Sequence, residues 1–208
     1  DPIYDLIKNS KGRLIGAASY NPFRIDESLR DIEKGVKKYG FKYVYMHPIT
    51  FGLSFADAKL YPLYAKCSEL GIPVVVHCGL SWSMIGQAKY ARPLALEEVA
   101  QEFPRLRIVV AHCGWPWVDE ALLVALKYRN VFLDTSIVTS GTPADSLGRT
   151  LADRIGLDVI ERSLSRQLLF GSNYPRADIR RTVRGMAALP LSPSLRERVM
   201  HVNAEELL

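Results

Sequence analysis

The sequence lacks long hydrophobic runs, which excludes a typical membrane-spanning helix. Its longest apolar stretches, such as residues 71–76 and 121–126, fall far short of the roughly 18 residues that a span requires. Cysteine is scarce too: three residues without C-x-x-C spacing do not suit a disulfide framework. The first residues offer neither the basic nor the apolar region of an export signal. We therefore expect a cytoplasmic protein whose cysteines are buried thiols.

Several nucleotide and hydrolase motifs are also missing. No G-x-G-x-x-G follows a strand, no Walker A loop is complete, and Ser83 stands where a G-x-S-x-G elbow needs its second glycine. The 27 Lys and Arg residues exceed the 22 Asp and Glu residues by five, but they are scattered along the chain. A nucleic-acid surface would gather them. We expect a small-molecule substrate and neither a nucleic acid nor a membrane as partner.

What the sequence does contain is one unit repeated along residues 1–208: an apolar strand, a turn, then an amphipathic helix. This regularity predicts a single α/β domain with a parallel sheet covered by helices. A (β/α) barrel and an open doubly wound sheet both fit, and the missing glycine fingerprint weakens the second. The predicted strands are 13–20, 41–47, 72–78, 106–113, 131–136 and 167–172. The predicted helices are 26–39, 60–70, 93–99, 116–129, 143–164, 179–189 and a last one from 194 onward.

Histidines mark the carboxyl ends of three predicted strands. Side-chain alternation places His47, His77 and His112 on one face, while Cys78 and Cys113 point to the opposite, helix-packed face. In a parallel barrel this end forms the mouth of the active site, so inward polar residues there are candidate catalytic groups. The three imidazoles are therefore predicted to converge.

Other residues near the strand ends have both structural and functional interpretations. His47 precedes a proline and is interpreted as a supporting residue behind the site, with Tyr45 on the same face. Asn173 follows the sixth strand and either caps a turn or faces the mouth. Trp82 and Trp115 lie just beyond strand ends, where they could line a pocket.

Together these segments resemble the amidohydrolase superfamily, in the branch that contains aminocarboxymuconate-semialdehyde decarboxylase and related metal-dependent hydrolases. The resemblance spans nearly the whole chain and rests on residues 40–48, 71–77, 108–114, 168–175 and 203–208. It implies a distorted (β/α)8 barrel that holds a divalent metal, usually zinc or manganese, at its mouth. By this resemblance His77 is a metal ligand, and His112 binds metal or orients the reactive water.

Two departures from the family pattern affect the expected chemistry. The H-x-H or E-x-H pair of the family's first strand is missing, and the six predicted strands correspond to its third to eighth. Asn173 replaces the family's aspartate and supplies a neutral amide instead of a base. A catalytic zinc needs about three protein ligands, so we expect this chain alone to retain metal poorly. His112 is then the proton acceptor that remains, with Asn173 beside it.

Three functions remain open on the sequence alone. The first is metal-dependent hydrolysis of a small carboxylated or cyclic compound, impaired by the two departures. The second is decarboxylation of an aromatic or muconate-type acid. The third is a catalytically inactive barrel that binds a ligand or partner. Six strands of an eight-stranded barrel would expose two sheet edges, so we also expect a homo-oligomer or further N-terminal residues.

Overall fold

Six short strands form one parallel sheet in the part of the chain that the computed structural model describes, residues 2–136 and 141–208. The strands lie side by side in chain order, so each β-α unit places its strand next to the preceding one. The predicted parallel α/β fold is thus confirmed. The strands are β1 (Ala17–Ser19), β2 (Tyr43–Met46), β3 (Val74–Val76), β4 (Ile108–Val110), β5 (Val131–Asp134) and β6 (Leu168–Leu169).

The helices between the strands follow the predicted order. They are α1 (Pro2–Asn9), α2 (Ile25–Tyr39), α3 (Tyr61–Leu70), α4 (Leu96–Glu102), α5 (Val118–Lys127), α6 (Pro143–Leu147), α7 (Leu157–Val159), α8 (Ile179–Ala188), α9 (Pro193–Glu197) and α10 (Asn203–Leu207). Three of them continue as π-helical segments, Gly148–Ile155, Ile160–Leu164 and Arg198–Val202. Short 3-10 helices occupy Pro48–Phe51, Ala58–Leu60, Ala88–Ala91, Pro93–Ala95 and Ala111–Gly114.

The two faces of the sheet carry different side chains. Alternate residues such as Val74, Val76 and Ile108 are fully buried in a large apolar core beneath the helices. On the other face, a smaller cluster of Val109, Leu169 and Leu207 forms where α10 packs against the sheet. Toward the carboxyl ends of the strands this second face becomes polar, because the residues that follow in alternation include histidine and aspartate.

The structure differs from the sequence prediction at several element boundaries. Helix α1 was not predicted, and the first strand is confined to Ala17–Ser19 because residues 10–13 continue from α1 as a hydrogen-bonded turn. The predicted fourth strand ends at Val110 instead of Cys113, because the backbone turns sharply at His112. Among the described residues, no helix has both the length and the apolar character needed to cross a membrane.

Candidate active site

A cavity of about 460 Å³ opens at the carboxyl ends of the strands. All seven residues that the sequence singled out contribute to its lining: Tyr45, His47, His77, Trp82, His112, Trp115 and Asn173. Arg176 lies in the same lining and was not predicted. The structure therefore brings the predicted residues together, while their chemical roles stay predictions.

His77 lies at the centre of the histidine cluster. It follows β3 on the face of Val75, and its Nδ1 is 3.3 Å from His112 Nε2 and 3.4 Å from the Tyr45 hydroxyl oxygen. The ring of His47 stacks on it with 4.0 Å between centroids. Burial, with help from His47 and His112, lowers the pKa of His77 to about 3 against the opposing effect of the Leu80 backbone. The imidazole is consequently neutral at physiological pH.

His112 reaches the cavity by a different route from the predicted one. Its backbone and that of Cys113 adopt left-handed conformations, with φ of 62° and 47°, so strand alternation does not set the direction of its side chain. The His112 N–H donates to Asp134 Oδ1 at 2.9 Å. Its ring Nδ1 lies 2.7 Å from the Ser136 carbonyl oxygen and 2.8 Å from Ser136 Oγ. The turn and β5 together hold the ring in place.

His47 lies against the face of the His77 ring and also lines the cavity, and its supporting role stays a prediction. Burial lowers the pKa of its ring, and the nearby His112 adds to the effect. The stacked His47 and His77 rings form the back wall of the cavity. One buried nitrogen of each ring, His47 Nδ1 and His77 Nε2, has no hydrogen-bond partner among the described residues.

Asn173 and Arg176 occupy one turn beyond β6. Asn173 is in the left-handed region at φ 57°, and its carbonyl oxygen accepts the Arg176 N–H at 2.9 Å. The Arg176 guanidinium lies 6.0 Å from the centroid of the Trp82 ring, within cation-π range. This turn therefore presents an amide and a positive charge at the cavity.

Backbone hydrogen bonds join the loops that follow β3 and β4. The Leu80 N–H donates to the Trp115 carbonyl oxygen at 2.7 Å, and the Gly79 N–H donates to the Ala91 carbonyl oxygen at 3.0 Å. The Cys78 thiol donates to that same Ala91 oxygen at 3.2 Å. Hydrogen bonds thus connect residues 78–80 with Ala91 and Trp115 in one wall of the cavity.

The amidohydrolase family model matches residues 2–208. This chain belongs to the amidohydrolase family. The resemblance inferred from the strand-end motifs is confirmed, and the family accounts for polar residues gathered at the carboxyl ends of parallel strands.

Among solved structures, this amidohydrolase chain is similar to an uncharacterized TIM-barrel protein from Bordetella bronchiseptica, with a TM-score of 0.82 and 25% identity. That match covers 99% of this chain and 70% of the other. A second is the manganese-bound 5-carboxyvanillate decarboxylase from Novosphingobium aromaticivorans, with a TM-score of 0.72 and 17% identity over all of this chain and 68% of that one. That structure is of a variant with aspartate replaced by asparagine, bound to a nitrobenzoic acid.

Among curated proteins, the chain is similar to 2-keto-4-carboxy-3-hexenedioate hydratase from a Sphingobium strain. The two are 27% identical over 138 residues, which cover 53% of this chain and 40% of the hydratase. The alignment thus spans less than half of that relative. Relatives of this amidohydrolase therefore include both hydratases and decarboxylases.

The cavity offers few donor atoms for a metal ion. The buried His77 Nε2 has no hydrogen-bond partner among the described residues, which is compatible with a metal-ligand nitrogen. Yet no group of three or more His, Cys, Asp or Glu side chains within the described ranges could hold a metal ion. Asp134 Oδ1 already accepts hydrogen bonds from the backbone of His112 and Ser136. These residues alone do not complete the three-ligand set of a catalytic metal centre.

Sequence reasoning missed Asp134, Ser136 and Arg176. Asp134 and Ser136 lie at the carboxyl end of the predicted fifth strand, so the rule that identified the histidines also pointed to them. The sequence gives little indication that Arg176 lines the cavity, because it is one of many scattered basic residues and lies on a turn. Its position became clear only from the cavity lining.

Proposed function

We propose that this amidohydrolase acts on a small carboxylated compound that is cyclic or unsaturated. The observation that carries the proposal is the cavity of about 460 Å³ that gathers three imidazoles, the Asn173 amide and the Arg176 guanidinium at the strand ends. Such a volume suits a small-molecule ligand. The hydratase and decarboxylase relatives, whose names denote carboxylated compounds, support the same substrate class.

Substrate binding is assigned to Arg176 and Trp82. A guanidinium can hold a carboxylate through two parallel hydrogen bonds, and the indole face favours a flat, conjugated substrate beside it. Trp82 and Arg176 already lie 6.0 Å apart, so one substrate can contact both. Trp115 lines the same cavity and gives a further apolar contact.

Proton transfer is assigned to His112, as the sequence predicted. A carbonyl oxygen only accepts hydrogen bonds, so the 2.7 Å contact to Ser136 requires a hydrogen on Nδ1 of the ring. In the uncharged form of this ring the lone pair is then on Nε2. In hydrolysis this atom would take a proton from water, while Asn173 offers an amide contact without a base. We therefore expect hydrolysis by this chain to be slow.

For the metal, zinc or manganese, we propose His77 and His112 as the ligands that this chain supplies. Manganese is present in the related decarboxylase, which supports a divalent cation in the family. Two imidazoles are too few for tight binding, so purified protein should retain substoichiometric metal. Metal analysis of the wild type, His77→Ala and Asn173→Asp tests this: the first variant should lose residual metal and the second should gain it.

Decarboxylation is the second candidate, favoured by the decarboxylase relatives and by the aromatic lining from Trp82 and Trp115. A panel of lactones, amides and aromatic or unsaturated carboxylic acids, followed by pH-stat titration and carbon dioxide release, separates the two reactions. Arg176→Gln should weaken binding of benzoate-type acids about tenfold or more, since a charged hydrogen bond is lost. Unchanged binding in Arg176→Gln contradicts the substrate assignment. Asn173→Asp that stays inert with added manganese would indicate a binding protein without catalysis.

A further inference from the structure

Asp134 is the hub of a hydrogen-bond network beneath the histidines. Its Oδ1 accepts the backbone N–H groups of His112 at 2.9 Å and of Ser136 at 2.8 Å. The same oxygen accepts the Ser136 hydroxyl hydrogen. The Asp134 carbonyl oxygen also accepts the Cys113 thiol at 3.2 Å. One residue thus holds the left-handed turn of His112 and Cys113 against the end of β5.

The network determines where hydrogens lie on the His112 ring. Ser136 has one hydroxyl hydrogen, and Asp134 takes it, so Ser136 Oγ faces the imidazole as an acceptor. The Ser136 carbonyl oxygen is an acceptor as well. Two acceptors within 2.8 Å of Nδ1 require a hydrogen on that atom. With its Nδ1 hydrogen in place, the uncharged form of the His112 ring carries its lone pair on Nε2.

The same logic extends to His77. His112 Nε2 lies 3.3 Å from His77 Nδ1, and two facing lone pairs would repel each other. The arrangement that avoids this repulsion has a hydrogen on His77 Nδ1, which donates to His112 Nε2. The Tyr45 hydroxyl oxygen, 3.4 Å from the same nitrogen, is then an acceptor. His77 Nε2 is then a buried lone pair, and it has no hydrogen-bond partner among the described residues. The Leu80 backbone lies close enough to the His77 ring to favour its protonated form and so raise its pKa, but no contact of Nε2 has hydrogen-bond geometry.

We propose that Asp134 and Ser136 are positioning residues that fix both imidazoles in the Nδ1–H tautomer, so that the Nε2 atoms of His112 and His77 carry the lone pairs. The inference rests on the proposed function and deepens it, because it names Nε2 as the ring atom through which His112 would accept a proton once the hydrogen bond from His77 is released. It also explains why an aspartate lies beside the site with its oxygen turned to the backbone. Asp134 acts through His112 and not on a substrate.

The ring tautomers can be measured directly in protein without metal or substrate. Two-bond proton–nitrogen correlation spectra of histidine-labelled protein distinguish a bare ring nitrogen from a protonated one, and His77→Gln and His112→Gln assign the signals. We expect Nδ1–H on both rings of the wild type at neutral pH. Nε2–H as the main form of either His77 or His112 in the wild type would overturn the inference.

Variants of Asp134 and Ser136 test the origin of the tautomers. Asp134→Asn keeps an oxygen acceptor and should preserve the Nδ1–H form, whereas Asp134→Ala should reduce its excess about tenfold, as for one lost hydrogen bond to a charged group. Ser136→Ala, which keeps the carbonyl acceptor, should reduce it less. If Asp134→Ala does not fold, the Ser136→Ala comparison still decides. Folded Asp134→Ala and Ser136→Ala proteins that both keep the wild-type tautomers refute the positioning role, whatever the substrate assays show.

Discussion

The neighbouring strands β3 and β4 are each followed by a His-Cys-Gly tripeptide, yet the two copies have different backbone conformations. His77 and Cys78 stay outside the left-handed region, and the first positive φ comes at Gly79, at 91°. In the second copy His112, Cys113 and Gly114 are all left-handed, with φ of 62°, 47° and 66°. Both histidines nevertheless reach one cavity. The same tripeptide therefore brings a histidine to the cavity through two different backbone conformations, and hydrogen bonds with Asp134 stabilise the second.

The largest expected effect follows from the glycine of the first copy. A Cβ on Gly79 would lie 2.0 Å from the Trp115 carbonyl oxygen, a backbone atom that cannot move aside. Gly79→Ala should lower the free energy of unfolding by more than about 3 kcal/mol or prevent folding. Gly71→Ala is the matched control, because Gly71 has φ 66° but open space around it, and it should cost about 1 kcal/mol. Urea denaturation compares the two, and equal losses would contradict the steric account.

The next effect is the pH dependence of the free energy of unfolding, which should differ between the buried His77 and an exposed histidine. The pKa of His77 falls from 6.5 to about 3, so below pH 6.5 the unfolded chain binds a proton that the folded chain does not. The free energy of unfolding should therefore decrease as pH falls, by up to about 1.4 kcal/mol per unit, and level off near the folded pKa. Above pH 6.5 His77 contributes nothing to the slope.

Urea denaturation from about pH 7 to pH 4 measures this slope, within the window set by the two pKa values. His77→Gln should flatten it. His201→Gln is the control, because the His201 side chain is 53% exposed, and it should change the slope less than His77→Gln does. If His77→Gln and the wild type have the same slope, the buried neutral ring is not the cause.

A smaller effect distinguishes the two cysteines. Cys78→Gly and Cys113→Gly both remove a fully buried thiol that donates to a carbonyl oxygen at 3.2 Å. Glycine also relieves the left-handed strain at Cys113, worth about 1–2 kcal/mol, and relieves none at Cys78. Cys113→Gly should therefore be the less destabilising by about that amount. Urea denaturation of the pair provides the measurement, and a larger loss for Cys113→Gly would show that strain is not what separates them.

The smallest expected effect concerns labelling of Cys78 and Cys113, which we expect to be absent in the folded protein. Burial raises the pKa of Cys78 and Cys113 well above the usual range, and the thiolate is the reactive form. Iodoacetamide at neutral pH should leave both unmodified in folded protein and label both after denaturation, as read by mass spectrometry. Labelling of Cys113 alone in folded protein would reveal that its turn opens while that of Cys78 stays closed.

The sequence was informative where a residue's position follows from local pattern. Strand order, helix order and His77 were predictable because apolar alternation and its polar end are encoded locally. His112 was placed in the right cavity for the wrong reason, since its direction depends on the hydrogen bonds with Asp134 and Ser136, 22 and 24 residues later. Such contacts leave no trace in local periodicity. Arg176 was missed for the same reason, because only folding brings its turn to Trp82.

The bond between Leu80 and Trp115 has a consequence for ligand affinity. This bond and that of Gly79 with Ala91 hold the backbone of the wall at those residues, so part of its conformational entropy is lost before a ligand binds. The entropy cost of ordering on binding then falls mainly on the ligand and on exposed side chains such as Trp82. A rigid, flat acid therefore has an advantage over a flexible one of the same charge, even when both make the same contacts.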